Sequence, residues 1–116
     1  MTAADDHANR CWQNLAAVRE GVAEACRRAG RDPAEVRIVG VTKYVSSDAA
    51  GWLLAAGCVD LAESRPQSLW EKAAALGDRD PAPRWHLIGH LQRNKLRRTL
   101  PLLALLHSLD SPRLLE

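Results

Sequence analysis

The sequence predicts an α/β fold built on a parallel sheet, and three observations carry that expectation. Val36 to Lys43 reads Val-Arg-Ile-Val-Gly-Val-Thr-Lys, with four β-branched aliphatics and Arg37 as the one interruption before the end; such a run suits a strand covered on both faces. Strand-like runs recur four times along the 116 residues, each followed by a helical pattern, after a first helix; this is the rhythm of parallel βα units. Two of the runs end in ionisable groups, Lys43 and Glu63, at the carboxyl ends where ligands bind in barrels and open α/β sheets.

The leading helix is expected from about Asn9 to Ala29, where Trp12, Leu15, Val18 or Arg19, Val22, Cys26 and Ala29 form one apolar stripe before Gly30,. Arg27 and Arg28 fall in its last turn, as the helix dipole favours, and Asp32-Pro33 turns the chain into the first strand,. On that strand Lys43 shares a face with Val41 and Val39, while Thr42, Gly40 and Ile38 point the other way,. Ser46, Ser47 and Asp48 offer N-caps for a second helix that Gly57 closes,.

Cys58 to Glu63 reads as the second strand, and Ser64-Arg65-Pro66 opens a helix whose face carries Leu69, Trp70, Ala73 and Leu76 until Gly77,. Trp85 to Gly89 is the third strand, His90 to Arg98 a basic helical segment, and Leu102 to Asp110 holds the fourth strand, although Leu102 to Leu106 alone fits a helix equally well,. Ser111-Pro112 starts one more helix that stops at Glu116, so the chain is expected to be incomplete,. At 116 residues it is also well short of the roughly 250 of a full (β/α)8 barrel,.

Composition narrows the function classes. A net charge of +2 implies no nucleic-acid or membrane partner by itself, and no apolar run approaches the roughly 20 residues that cross a bilayer,. The start, Met-Thr-Ala-Ala-Asp-Asp-His, lacks the order of a secretory signal, which reads as cytoplasmic,. Cys11, Cys26 and Cys58 are an odd number without a Cys-x-x-Cys pair, so buried free thiols are expected rather than disulfides or zinc,.

Lys43 has two readings. It is a carbonyl-trapping amine if burial keeps it neutral, or a lysine that reaches past the strand end to water. Glu63 is placed to pair with it across the mouth of the sheet. His86 and His90, four apart, would need a helix to form a zinc pair, yet they flank a strand exit, so no metal site is expected and His86 is read as a hydrogen-bonding residue. Arg93, Lys95, Arg97 and Arg98 form a basic cluster whose default is a solvated surface and whose alternative is an interaction or RNA-binding module,.

Four blocks carry a family resemblance: Val-Gly-Val-Thr-Lys (39 to 43), Glu-Ser-Arg-Pro-Gln (63 to 67), Trp-His-Leu-Ile-Gly-His-Leu-Gln-Arg-Asn-Lys (85 to 95) and His-Ser-Leu-Asp-Ser (107 to 111). Together they resemble the pyridoxal phosphate homeostasis, YggS-like, family over about the first half of a member. The resemblance implies a partial (β/α)8 TIM-type barrel, similar to the barrel domain of alanine racemase, with residues 1–116 as a single N-terminal half-barrel. It implies pyridoxal 5′-phosphate held as a Schiff base on Lys43, with Glu63, Ser64, His86 and Ser108 as further cofactor-site residues, and no settled catalytic reaction. Ala62-Glu63-Ser64 stands where most members have Gly-Glu-Asn, so an amide is lost there,. The family's phosphate-holding loops belong to later strands, which implies poor retention unless a second copy or a separate half-barrel completes the barrel. A truncated chain without activity is the remaining alternative.

Overall fold

The computed structural model describes residues 2–108. Its first element is helix α1, Ala3–Ala29. The helix begins six residues earlier than the apolar stripe suggests, because Thr2 and Asp5 form a reciprocal capping box: the Thr2 hydroxyl accepts from Asp5 N at 3.1 Å and the Asp5 carboxylate accepts from Thr2 N at 3.2 Å,. Gly30, at φ 67°, ends it in the left-handed conformation,. The buried stripe runs through Leu15 and Cys26, whereas Trp12 is 59% exposed and Val18 51%. Arg19 stays exposed like Val18; its guanidinium donates to the carbonyl of Gly57 at 2.8 Å, just past the end of the next helix,.

Strand β1 is Gly40–Val41, helix α2 Ser47–Ala55, strand β2 Asp60–Glu63, helix α3 Pro66–Leu76 and strand β3 Arg84–Leu87. A 3-10 turn at Arg93–Lys95 leads into the one-turn helix α4, Leu96–Thr99, and strand β4 is Leu103–Leu106. All neighbouring strands are parallel, in the order β1-β2-β3-β4. That unreversed order is the winding of a (β/α)8-type barrel, of which four strands are present; a doubly wound sheet reverses. The expected fold class therefore holds, as do four strands and a leading helix.

The strands are shorter than their apolar runs. The first was expected over Val36 to Lys43, yet only Gly40 and Val41 pair, opposite Leu61 and Ala62. Thr42 N still donates to Ala62 O at 2.9 Å, and beyond it the chain turns away. The physical reason lies in β2, its one neighbour among the described residues: β2 begins at Asp60, level with Val39, so residues 36 to 38 have no strand beside them. The basic segment is likewise less helical than expected, with His90 to Gln92 outside any helix. The last two residues of the fourth strand's expected range, Leu109 and Asp110, and the helix expected from Ser111 lie outside the described residues.

The core lies between the sheet and one layer of helices. Leu61, Leu87 and Trp85 from the strands meet Leu69 and Leu76 of α3 and Ala50 of α2, all buried. Two glycines set the close approaches: a Cβ on Gly40 would run into the Leu53 side chain, and one on Gly89 would run into the Ser64 carbonyl,. The opposite sheet face is exposed at its two edge strands, with Val41 50% and Leu105 51% exposed, while Ala62 and His86 between them are buried. A thickness of 23 Å against 43 and 42 Å in the other directions fits one sheet and one helix layer,.

Candidate functional site

The turn after β1 positions Lys43. Val45 N donates to Thr42 O at 3.3 Å, closing a four-residue turn with Lys43 and Tyr44 at its centre,. Tyr44 sits at φ 68°, a left-handed conformation that is strained for a bulky residue,. The Tyr44 ring is 86% exposed and lies 5.6 Å from the Lys43 Nζ, so the ring face is the ammonium's neighbour. Lys43 itself is exposed. The desolvated amine expected from the sequence is thus not what the fold presents, because the turn carries Lys43 past the end of β1 and away from the core.

Beneath that turn lies a buried ion pair that sequence reading missed. Lys72 Nζ of α3 donates to Glu63 Oε2 at 2.6 Å and to the Thr42 carbonyl at 2.7 Å. Thr42 Oγ1 donates to the same Glu63 oxygen at 2.5 Å. All three side chains are buried. The expected Glu63–Lys43 pair therefore does not form: Glu63 shares the helix-facing side with Leu61 and spends its charge on Lys72. A signal was available, since Lys72 stands on the same apolar stripe as Leu69 and Leu76, where a solvated lysine has no place. The consequence is mechanical, with α3 holding the backbone carbonyl one residue before Lys43.

Lys43, Tyr44, Glu63, Ser64, Arg65 and Lys72 border a hollow of about 220 Å³. A second hollow of about 250 Å³ adjoins it through Ser64 and Arg65 and reaches His90, Gln92 and Lys95. Of the expected cofactor-site residues, Lys43, Glu63 and Ser64 thus come together. His86 and Ser108 do not join them. Ser108 donates its hydroxyl hydrogen bond to the Gly89 carbonyl. His86 is buried on the other sheet face, where Nε2 meets Asp60 Oδ1 at 2.9 Å and Nδ1 meets His107 Nε2 at 3.0 Å. In the basic segment, Arg98 lies 4.2 Å over the Trp70 ring, and Trp70 Nε1 donates to Thr99 Oγ1 at 2.9 Å. Part of that cluster therefore serves packing.

No protein-family model matches the chain. Among curated proteins, the pyridoxal phosphate homeostasis protein of Deinococcus radiodurans is 44% identical over 100 residues, covering 85% of this chain and 46% of that protein. By sequence, the chain belongs to the pyridoxal phosphate homeostasis family. Its relative of that name in Aquifex aeolicus is 34% identical over 108 residues, covering 93% of this chain and 46% of that protein. The chain thus spans about half the length of the relatives it matches.

Solved structures of similar fold agree. A protein of unknown function from Bifidobacterium adolescentis superposes at TM-score 0.81 with 29% identity, over 95% of this chain and 48% of that one. PipY of Synechococcus elongatus, solved with pyridoxal phosphate bound, gives TM-score 0.66 and 35% identity over 81% of this chain and 44% of PipY. Homeostasis, rather than a reaction, is what the relatives' names describe.

Proposed function

We propose that this chain binds pyridoxal 5′-phosphate through Lys43 and acts in vitamin B6 homeostasis as a binding protein rather than a catalyst. The observation that carries the reading is the contrast among its lysines. Lys72 is buried and fully engaged by Glu63 and the Thr42 carbonyl, whereas the Lys43 amine stands exposed beside the hollow with an aromatic ring as its described contact. The donor set suits the group, since a lysine nitrogen with no described ion-pair partner can reach an aldehyde and condense with it after giving its proton to water,. Lys43 would form a Schiff base, its nitrogen bonding to the aldehyde carbon while water leaves.

When bound, the cofactor supplies a carbonyl that exchanges reversibly among amines. The chain's own residues do the rest. Lys72 holds the Thr42 carbonyl and Glu63 the Thr42 hydroxyl, the Tyr44 ring flanks the ammonium, and Ser64 borders the same hollow. Exposure of Lys43 and the absence of a dedicated phosphate clamp among these residues favour weak retention. The face bearing Val41 and Leu105 would be covered by a second half-barrel, either another copy of the chain or a separate polypeptide. Adding the cofactor should raise an imine absorbance band that Lys43→Ala abolishes; a spectrum equal to that of free cofactor contradicts the reading.

A further inference from the structure

The turn that carries Lys43 holds a tyrosine where its backbone favours glycine. Thr42 to Val45 closes with φ positive at its third position, Tyr44, and not at Lys43, which is the type II geometry,. Glycine or asparagine takes that third position without strain, whereas a bulky side chain there is strained. Both ends of the turn are tied down, so the strain has no way to relax. Thr42 N donates to the Ala62 carbonyl at 2.9 Å, and the Thr42 carbonyl accepts from Lys72 Nζ at 2.7 Å. Just past the turn, the Ser46 hydroxyl caps helix α2 by accepting from Ala49 N at 3.1 Å,.

The fold draws little from the ring that is kept there. Tyr44 is 86% exposed, so buried apolar surface does not offset the strain. What the ring does border is the hollow of about 220 Å³ beside Lys43, with its centroid 5.6 Å from Nζ. An aromatic face at the rim of a hollow, next to an amine, suits a planar ring joined to that amine. We propose that Tyr44 is a specificity-determining residue of this hollow: its face stacks on the planar ring of an aldehyde condensed with Lys43, so aromatic aldehydes are retained over aliphatic ones. This role rests on the reading of Lys43 as the condensing amine.

The distances permit the contact. On condensation the Lys43 nitrogen bonds to the aldehyde carbon and water leaves, so a ring attached to that carbon has its centre about 4 Å from Nζ by ordinary bond lengths. With Nζ 5.6 Å from the Tyr44 centroid, such a ring can lie over Tyr44 at a centroid separation of roughly 4.5–7 Å, the range of stacked aromatic pairs. Ser64, Arg65 and Ser68 border the same hollow and suit the polar substituents of a ring held there,. An aliphatic aldehyde has no face to offer and gains nothing from Tyr44.

Two aldehydes titrated into the intact chain and its Tyr44 variants test this. Each adduct is trapped with borohydride, and the half-saturating concentration is read from the Lys43 peptide. Pyridoxal 5′-phosphate should need about three- to tenfold more in Tyr44→Gly and Tyr44→Leu, and Tyr44→Phe should restore the native value. Glycolaldehyde phosphate, which carries the carbonyl and the phosphate without a ring, should label Lys43 equally in all four chains. With no ligand, Tyr44→Gly should melt a few degrees higher, since glycine takes the left-handed conformation freely, so weaker binding is not lost folding. Tyr44 is the chain's one tyrosine, and its ring protons should show cross-relaxation with the methyl group of the trapped pyridine ring. Equal half-saturation by pyridoxal 5′-phosphate in the native and Tyr44→Leu chains overturns the role of Tyr44 and leaves the Lys43 reading intact. So does a glycolaldehyde phosphate value that rises alongside it, or a melting temperature that falls in Tyr44→Gly. With both aldehydes absent from Lys43, the Lys43 reading is overturned and the Tyr44 role with it.

Discussion

Lys72 and Glu63 form a buried pair whose value depends on both members being present. Removing one leaves the other charged and desolvated, a loss of about 3–5 kcal/mol, whereas replacing both with apolar groups of similar size is often neutral. Lys72→Met should therefore destabilise strongly in urea unfolding, and Glu63→Leu with Lys72→Met should recover most of the loss. A fully additive double variant contradicts the pairing. Burial pushes the Cys58 thiol up, as it does Cys11. A raised thiol keeps its proton in the folded chain after the unfolded chain has lost it, so its stabilising effect is complete below the ordinary thiol range and fades as pH rises through the folded value. Unfolding curves should show stability falling on the alkaline side of the ordinary thiol value of 9.0, less steeply in Cys58→Ala; a slope unchanged by the substitution contradicts it.

Element by element, the sequence was most legible where one periodicity ruled. The stripe of α3 and the turn chemistry at Pro66 and Gly77 gave its bounds, because packing and propensity agree there,. Legibility failed where partners came from elsewhere in the chain. The start of α1 was hidden because its cap, Thr2 with Asp5, is polar and lies outside the apolar stripe. The length of β1 depends on where its partner β2 begins, which no pattern local to β1 records. At the site, Lys43, Glu63 and Ser64 were identifiable as strand-end residues, while the roles of Lys72, Tyr44 and Asp60 follow from contacts distant in sequence. Gly89 is a test at this scale: the ends of β2 and β3 approach so closely that Gly89→Ala must push against the Ser64 backbone. Its melting temperature should drop by several degrees, and an unaltered one contradicts that close approach.

As a whole molecule, the protein is a half-barrel slab with one face sealed by helices and the other exposed at its edge strands. Those edges carry Val41 and Leu105, and β1 is flanked by a groove of about 590 Å³ against α1. An uncovered parallel edge beside apolar side chains favours association. Sedimentation should find the chain self-associating with rising concentration, and Leu105→Asp should shift it toward monomer; a monomer at all concentrations contradicts self-closure. No described helix is long and apolar enough to cross a membrane.

Lys43, Lys72 and Lys95 are the chain's lysines, which makes one measurement decisive. Borohydride reduction of the chain after mixing with pyridoxal 5′-phosphate, followed by peptide mass mapping, fixes the cofactor to whichever nitrogen held it. The account predicts the adduct on the peptide containing Lys43, with Lys72 unmodified in its buried pair. Equal labelling of Lys43 and Lys95, or an adduct on Lys72 alone, would contradict it.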